Sequence, residues 1–312
     1  MSRDLGVPLY EFAYGGSRVR RQLKCMTATV EVLRRERPQV VFASNPSLVL
    51  TLFLLACSPL LGFRFVSDAH YGGVVAVNGG AMVQRLLDFV HRRADLVIVT
   101  TEGHARRIRE AGGTAFVCPD PLPQLPPTRA RPDGMAGTER TVLFICSFDR
   151  DEPYAEVFEA ARILVPLGFR VFVSGRFARI GLTPDAVPQV TLLGYVDRET
   201  YDAYLGNVDL VLDLTTWDDC LVCGAYEAMV AMKPCVLSRT AALTGLFTDG
   251  TVFTSHAPEE IAQAVQSAYD RREALRASIP GWLHRHEEAT KARAVALRSA
   301  VGLPPAGRGK VA

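Results

Sequence analysis

Short β-rich runs alternate with amphipathic segments of helical period along nearly the whole chain. Strands are predicted at VPLYEF, QVVFA, FRFVS, DLVIVT and TAFVC in the first half, and at TVLFIC, FRVFVS, VTLLG, VDLVLDL, PCVLS and TVFT in the second. Helices are predicted between them at 18–36, 46–57, 80–93, 102–111, 153–164, 197–205, 224–232, 258–269 and 282–300. This alternation is typical of parallel sheets with helices on both faces. We therefore predict an α/β fold with two Rossmann-like, doubly wound domains.

A proline-rich segment separates the two halves. Six prolines lie between Pro119 and Pro132, and such backbone can join neither a helix nor a sheet. We predict a first domain at 1–125, a linker at 126–138, a second domain at 139–280, and a C-terminal helix and tail at 281–312. A length of 312 residues agrees with about two domains. Two such domains are expected to face a central cleft, with ligands at the carboxyl ends of the strands.

Composition excludes several classes of protein. Hydrophobic residues at 48% and charged residues at 22% argue against a disordered or fibrous chain. With 35 basic and 33 acidic residues the chain is not a polycation, and no nucleic-acid partner is predicted. Seven cysteines, mostly in apolar runs, predict reduced thiols and a cytoplasmic protein. The opening residues MSRDLGVPLYEF have no apolar core, so no secretory signal is predicted there. The apolar stretch from Leu48 to Leu61, which is interrupted by Pro59, predicts a buried helix rather than a membrane span.

The segment from Val208 to Ser238 is the richest in chemistry. A buried strand is predicted to end at Leu214, followed by a polar loop and a helix near Gly224. The unpaired N–H groups and positive dipole at the start of a helix suit a diphosphate. Asp219 and Glu227 would repel phosphate, so their carboxylates suit sugar and ribose hydroxyls instead. The alternative is that Asp219 caps the helix and Glu227 is a solvated surface residue.

The chain contains a motif in which Asp219 and Glu227 are separated by seven residues and are followed by small helical residues and the sequence KPCVLS. It resembles the donor-binding signature of retaining nucleotide-sugar glycosyltransferases of the GT-B fold, family-4 type. Three further stretches are similar to that family: ADLVIVTTEGHARRIREAGG, VLFICSFDRDEPYAEVFEAARIL and LLGYVDRETYDAYLGNVDLVLDLTT. The resemblance covers the chain from about residue 5 to residue 275.

The resemblance implies a role for individual residues. Glu227 would hold the nucleotide ribose, and Asp219 would face the transferred sugar. The remaining donor-site residues would be the backbone amides of Leu221, Val222 and Cys223 near the diphosphate, and Gly194, Tyr195 and Val196 near the base. The substrate would be a UDP- or GDP-linked sugar, and the resemblance implies neither a cofactor nor a metal.

The sequence departs from the family in three ways. Aspartate at 219 replaces the usual glutamate. The usual arginine and lysine clamp on the diphosphate is reduced to SFDRDEPY, which leaves Arg150, with Arg176 as a second candidate. The chain is also expected to begin inside the family's first helix, so that the opening strand and its glycine-containing loop are absent, through a misassigned start or a truncation.

A second constellation is FVSDAHYGGVV in the first half. A strand would deliver Asp68 and His70 to the carboxyl edge of the sheet, and Gly72 and Gly73 would allow the backbone to approach a ligand closely. Asp68 is a candidate general base if the reaction inverts configuration, and His70 a candidate partner of the sugar or the leaving diphosphate. The alternative is that Asp68 caps a turn and the backbone satisfies His70. Asn45 either lines the acceptor side or caps a helix.

Three weaker signals remain. His104 is predicted to be an exposed helix residue. Cys220 and Cys223 have a two-residue spacing without a second pair, which favours small buried residues over a redox or zinc site. Seven basic residues lie between Arg18 and Arg37. They form either a solvated helix face or a surface that rests on anionic lipid headgroups.

Together these observations predict a metal-independent hexosyltransferase-type enzyme. It would move a sugar from a nucleotide diphosphate to a saccharide or lipid-linked acceptor in polysaccharide or glycolipid synthesis, in the cytoplasm or at the inner face of the membrane. Two alternatives stay open: an impaired glycosyltransferase-like subunit that binds without turnover, and a sugar-nucleotide epimerase on the same fold.

Overall fold

A computed structural model describes residues 2–45, 47–77, 79–127, 130–135, 137 and 140–304. The chain divides into two compact units: unit 1 comprises Met1–Pro121 and Glu288–Ala312, and unit 2 comprises Leu122–Glu287. The proline-rich segment, predicted as a separate linker, is therefore counted within unit 2. The C-terminal residues, predicted as a separate helix and tail, are divided between the two units.

Unit 1 contains a parallel four-stranded sheet in the order β1-β2-β3-β4. Its strands are β1 (Val40–Asn45), β2 (Arg64–Ala69), β3 (Leu96–Val99) and β4 (Ala115–Val117). Its helices within the first part of the chain are α1 (Ser2–Leu5), α2 (Arg18–Glu36), α3 (Leu48–Leu61), α4 (Tyr71–Val74), α5 (Gly80–Arg93) and α6 (Glu102–Glu110). Successive strand residues point to opposite faces, so Phe65 packs in the core on one face of the sheet and Val66 in the core on the other.

Two predictions for unit 1 are wrong. The run VPLYEF is not a strand: Leu9 and Tyr10 are exposed, and Pro8 has no N–H to donate to a ladder. This segment instead lies beside α2, where Arg35 stands 5.9 Å from the centre of the Tyr10 ring. The apolar helix α3 forms but is not a buried helix, because only Thr51 and Leu54 among its residues are buried.

Unit 2 contains a parallel six-stranded sheet in the order β10-β9-β8-β5-β6-β7. The strands are β5 (Arg140–Phe144), β6 (Phe169–Ser174), β7 (Thr191–Gly194), β8 (Leu210–Asp213), β9 (Cys235–Ser238) and β10 (Thr251–Thr254). The helices are α7 (Tyr154–Leu164), α8 (Arg198–Asn207), α9 (Cys223–Val230), α10 (Ala241–Leu246) and α11 (Pro258–Asp270), followed by α12 (Arg272–Ala300), which continues into unit 1. Because the first strand of the unit, β5, lies between β6 and β8, the strand order reverses there, and the sheet is doubly wound.

The last helix begins ten residues before its predicted start. Pro280 lies inside α12 and lacks the N–H that would bond to the preceding turn. Ile279 and Trp282 are both buried beside it, and the Trp282 ring stacks on Phe247 at 5.2 Å. The burial of these side chains offsets the lost hydrogen bond. Within the part of the chain that the structure describes, no helix has the length and hydropathy to cross a membrane.

Candidate functional site

Two loops meet in unit 2 at the point where the strand order reverses. One follows β5 and the other follows β8. The Thr215 hydroxyl donates to the Asp151 carboxylate at 2.7 Å, and the Thr216 N–H donates to the Asp151 carbonyl, also at 2.7 Å. Ligands of doubly wound sheets bind outside the carboxyl ends of the strands at such a reversal. These contacts therefore fix the two loops at the edge where a ligand is expected.

Glu227 lies on α9 near this edge and is held by two side chains of α8. The Tyr201 hydroxyl donates to its Oε2 atom at 2.5 Å, and Arg198 Nη1 donates to Oε1 at 3.1 Å. Arg198 also pairs with the buried Asp202 at 2.8 Å. The Glu227 side chain is only 17% exposed, so it is not the solvated surface residue of the alternative interpretation. Burial and the negative Glu227 raise the pKa of Tyr201, which keeps its phenol protonated as a donor.

Asp213 is a buried acid at the end of β8 that sequence analysis did not identify. Its carboxylate accepts a hydrogen bond from the Gly224 N–H at the start of α9, while burial and then the nearby Glu152 raise its pKa well above the ordinary value. A Cβ atom on Gly224 would lie 2.4 Å from Asp213 Oδ2. The site therefore requires glycine at 224. A charged residue at the end of an apolar run was the available signal.

The loop after β5 is organised by Glu152, which sequence analysis also missed. Its carboxylate accepts the N–H of Ser147 at 2.9 Å and of Asp149 at 2.8 Å. Between them, the buried Phe148 has a φ of +62°, in the left-handed region that non-glycine residues rarely adopt. Because Glu152 accepts these backbone N–H groups, they are not available to bind an anion. Arg150 stands exposed in the same loop.

Arg176 and Tyr195 lie together after β6 and β7. The Arg176 guanidinium stands 4.2 Å from the centre of the Tyr195 ring, and this ring is 74% exposed. The Gly175 N–H donates to the Gly194 carbonyl at 3.0 Å, and Gly194 has a φ of +76°. Val196 follows Tyr195 directly and is half-buried. The structure therefore brings the predicted base-side residues next to one of the two predicted diphosphate cations.

Asp219 is half-exposed in the loop before α9 and does not cap this helix. The residue at the capping position is Val222, whose side chain has no acceptor. Leu221 and Cys223 flank Val222 at the start of the helix. Cys223 is exposed and Cys220 is half-buried, so the expectation of two buried thiols is wrong for Cys223.

In unit 1, Asp68 and His70 line a cavity of about 300 Å³. Asp68 lies at the end of β2, Cys118 and Asp120 follow β4, and the last helix contributes Thr290, Ala294 and Leu297 to the wall. Burial, together with the negative Asp120, raises the pKa of Asp68, and His70 opposes this shift. The cavity therefore combines carboxylates, an imidazole and apolar wall.

Asn45, Gly72 and Gly73 do not form an open surface. Asn45 ends β1, is fully buried and donates its amide to the Gly73 carbonyl at 3.1 Å, so it is not a helix cap. A Cβ atom on Gly73 would lie 2.9 Å from Asn45, which means that this glycine allows close packing against Asn45. Gly72 lies in the short helix α4. His91 Nε2 also contacts the Gly73 carbonyl at 3.0 Å, and burial lowers the pKa of His91.

Residues 2–119 match the model of a family described as the glycosyl transferase 4-like domain. No curated protein sequence matches the chain. Among solved structures, the chain is similar to Anabaena HepE in complex with UDP-glucose, at 14% identity and a TM-score of 0.68, covering 89% of this chain and 82% of that one. It is also similar to sucrose-phosphate synthase of Thermosynechococcus elongatus, at 16% identity, a TM-score of 0.67 and coverages of 90% and 77%.

A third similar structure is the UDP-GlcNAc 2-epimerase of Methanocaldococcus jannaschii, at 14% identity and a TM-score of 0.50, covering 85% of this chain and 80% of that one. These likenesses confirm the predicted GT-B fold. The family match confirms the predicted resemblance to family-4 glycosyltransferases.

Within residues 2–119, one further prediction is wrong. His104 is 2% exposed and not a surface residue, because its ring packs edge-on against Tyr71 at 5.3 Å. The described residues contain no group of three or more histidine, cysteine or acidic side chains arranged to hold a metal ion.

Proposed function

We propose that this protein is a glycosyltransferase that moves a hexosyl group from a UDP- or GDP-linked sugar to a hydroxyl group of a saccharide or lipid-linked acceptor. The observation that supports this most directly is the Glu227 carboxylate, held by Tyr201 and Arg198 beside the strand reversal of a GT-B fold. The match of residues 2–119 to the glycosyl transferase 4-like domain family supports the same class of reaction.

On this proposal Glu227 binds the ribose. An ionised carboxylate has about four lone-pair positions, and Tyr201 and Arg198 use two of them. The other two suit the vicinal hydroxyls of a ribose ring. Because both partners come from α8, the carboxylate is already oriented before the nucleotide arrives, which lowers the entropy lost on binding.

We infer that the diphosphate lies against the start of α9, where backbone N–H groups and the helix dipole favour an anion. Arg150 and Arg176 supply positive charge, and Asp219 accepts hydroxyls of the transferred sugar. The N–H groups after β5 are taken by Glu152, so the proposal places the diphosphate at α9 instead. We propose that no metal or cofactor is required. Activity that persists in EDTA supports this, and activity that EDTA removes and Mg²⁺ restores contradicts it.

The cavity of unit 1 is proposed to receive the acceptor. Asp68 and Asp120 repel phosphate and accept hydroxyl groups, which fits a neutral saccharide portion of the acceptor. In the transfer, the bond from the anomeric carbon to the diphosphate breaks, and a bond to the acceptor oxygen forms. The proton of the acceptor hydroxyl passes to a base, for which Asp68 is the candidate if the configuration inverts.

The test is a panel of UDP- and GDP-sugars with the wild type and Glu227→Ala. We expect sugar transfer, or slow donor hydrolysis without acceptor, from the wild type. Glu227→Ala removes two charge-assisted hydrogen bonds to the ribose, each contributing about 1.5–3 kcal/mol, so donor affinity should fall by about 10²-fold or more. Glu156→Ala, an exposed acid of α7, is the matched control and should behave as wild type.

Three other results would contradict the proposal. Full activity in Glu227→Ala would refute the role of this residue. Binding of a nucleotide sugar without transfer or hydrolysis would indicate the impaired binding subunit. A donor recovered with an altered sugar would indicate an epimerase.

A further inference from the structure

A buried lysine lies at the amino edge of the unit 2 sheet, which is the edge opposite the candidate site. Lys233 precedes β9, and its backbone N–H donates to the Ala228 carbonyl at 2.8 Å. The carbonyl of the next residue, Pro234, accepts the Val211 N–H at 3.0 Å. Lys233 is only 9% exposed. Because lysine is almost never this deeply buried unless it is paired, this side chain is expected to have an anionic partner.

The acid that acts on Lys233 already has other partners. Asp209 Oδ2 accepts the N–H and the hydroxyl of Thr141, both at 2.8 Å. Burial and then the positive Arg276 lower the pKa of Lys233 to about 8, although the charge of Asp209 opposes this shift. Within the described residues, no hydrogen bond or ion pair includes the Lys233 side chain. A buried ammonium without such a contact is unfavourable, so the chain itself does not supply the expected partner.

A second cation comes from the start of α12. The Ser278 hydroxyl accepts the Gly250 N–H at 3.0 Å, and this contact places the first turns of α12 at the amino end of β10, the neighbour of β9. Arg276 Nε is buried and has no hydrogen-bond partner in the described residues. Its Nη1 atom stands 3.9 Å from Glu273 Oε2, beyond hydrogen-bond distance, and the Glu273 side chain is 72% exposed. Arg276 and Lys233 therefore repel each other while both have unused donors.

We propose that Lys233 and Arg276 form a binding site for a phosphate group at the amino edge of the unit 2 sheet. A phosphate group carries about −1.5 to −2 charges at pH 7, so one group neutralises both cations, whereas a carboxylate leaves one of them uncompensated. Lysine binds phosphate as a point charge, and the planar guanidinium of arginine binds it through parallel N–H donors. Helix α12 begins at Arg272, and the positive end of its dipole favours an anion at the same place.

This phosphate site is separate from the proposed diphosphate site. Arg150 and Arg176 lie in loops that follow β5 and β6, at the carboxyl edge of the sheet, whereas Lys233 and Arg276 lie at the amino edge. The inference therefore does not depend on the proposed reaction and goes beyond it. The site binds the phosphate group itself, which is either inorganic phosphate or part of a sugar phosphate, and the experiment distinguishes these two sources.

The experiment is isothermal titration of the full chain with sodium phosphate at pH 7, in chloride buffers of matched ionic strength. The wild type should bind phosphate. Lys233→Met and Arg276→Gln each remove a charge-assisted hydrogen bond and should weaken binding by about 10- to 100-fold. Arg162→Gln, at an exposed arginine of α7 in the same unit, removes one positive charge as a matched control and should bind as the wild type does.

Thermal melts in chloride and in phosphate separate this site from a merely structural lysine. In chloride, Lys233→Met should melt at a higher temperature than the wild type, because it removes a buried cation that has no partner. In phosphate, the wild type should gain stability while Lys233→Met should not. If Asp209 alone holds Lys233, the variant will melt at a lower temperature by the same amount in both buffers, and that result would overturn the proposal. Arg276 is 39% exposed, so Arg276→Gln provides a second variant that should fold.

A pH series adds a readout besides affinity. In chloride, the stability of the wild type relative to Lys233→Met should rise as the pH increases from about 8 to 10.5, because over this range the lysine of the unfolded chain binds more protons than that of the folded chain. Saturating phosphate should flatten this rise, since a bound anion favours the charged lysine. A rise that phosphate leaves unchanged would contradict the proposal.

Two further comparisons locate the phosphate and identify its source. Arg176→Gln should bind phosphate as the wild type does; loss of binding in this variant but not in Lys233→Met would assign the phosphate to the diphosphate site and overturn the proposal. Tighter binding of glucose 6-phosphate than of inorganic phosphate identifies a sugar phosphate as the ligand, equal or weaker binding identifies inorganic phosphate, and binding of neither refutes the site. UDP should stabilise Lys233→Met and the wild type equally, so that loss of phosphate binding and loss of nucleotide binding are separate results.

Discussion

Removing the hydroxyl of Tyr201 tests whether Glu227 is oriented in advance. Tyr201→Phe deletes the donor at 2.5 Å from Glu227 Oε2 and leaves only Arg198, at 3.1 Å from Oε1. A hydrogen bond to a charged group contributes about 1.5–3 kcal/mol to stability. For a unit of this size, 1 kcal/mol corresponds to about 2–4 °C in Tm, so we expect Tm to fall by roughly 3–12 °C.

The effect on nucleotide binding follows from the freed side chain. Immobilising a flexible side chain on binding costs about 0.5–1.5 kcal/mol, so nucleotide affinity should fall by about 2- to 12-fold. Isothermal titration with UDP and GDP, together with thermal melts, measures both quantities. The charge of Glu227 is unchanged in this variant, and for this reason the loss should be smaller than that in Glu227→Ala.

Tyr204→Phe is the matched control. Tyr204 lies on the same helix, and its hydroxyl stands near Gly134 rather than at the candidate site. This variant should keep the nucleotide affinity of the wild type. The reasoning is refuted if Tyr201→Phe binds nucleotide as tightly as the wild type while its Tm falls, or if both variants lose affinity equally.

Two further substitutions probe the support beneath the site. Gly224→Ala places a Cβ atom 2.4 Å from Asp213 Oδ2 and should destabilise the protein by about 1–3 kcal/mol in urea unfolding; unchanged stability would show that the helix start moves freely. Asp213→Asn keeps the acceptor for the Gly224 N–H and removes the ionisable group. Because the folded pKa of Asp213 is raised above 3.8, wild-type stability falls as pH rises from that value through the folded pKa. The stability of the variant relative to the wild type, measured by urea unfolding, should therefore increase as the pH rises above 3.8, and a constant difference would contradict the shift.

The strands and most helices could be predicted from the sequence, because they follow from local patterns. Each of the ten strands that the structure describes overlaps a predicted run, although β1, β2 and β5 extend beyond theirs by one or two residues, and α2 and α5 have the predicted bounds. The prediction of a strand at VPLYEF was wrong because a strand needs a neighbouring strand to pair with, and this segment, with Leu9 exposed, pairs with none in the described part of the chain. The prediction that α3 is buried was wrong for a related reason. An apolar composition indicates a preference for burial, but the tertiary structure decides how many packing partners a helix has.

In the candidate site, too, some residues could be predicted from the sequence and others could not. Glu227 and Asp68 could be selected as candidates because an acid at the end of an apolar strand, or in the helix that follows one, is a visible pattern. Glu152 could not be found, since its partners are backbone N–H groups that become available only when Phe148 adopts its left-handed conformation. The partners of Glu227, Tyr201 and Arg198, lie more than 20 residues away, and only the fold shows that α8 and α9 are neighbours.

The last helix has a consequence for how the protein is made. Leu297 and Val301 pack in the same core as Val66 and Ile98, on one face of the sheet of unit 1. A ribosome that adds about 5–20 residues per second needs roughly 10–35 s between Pro121 and Leu297. During that interval the nascent first unit has an uncovered sheet face that can bind chaperones or aggregate. Shortening the C-terminus should therefore lower the yield of soluble protein even though the strands of unit 1 are intact.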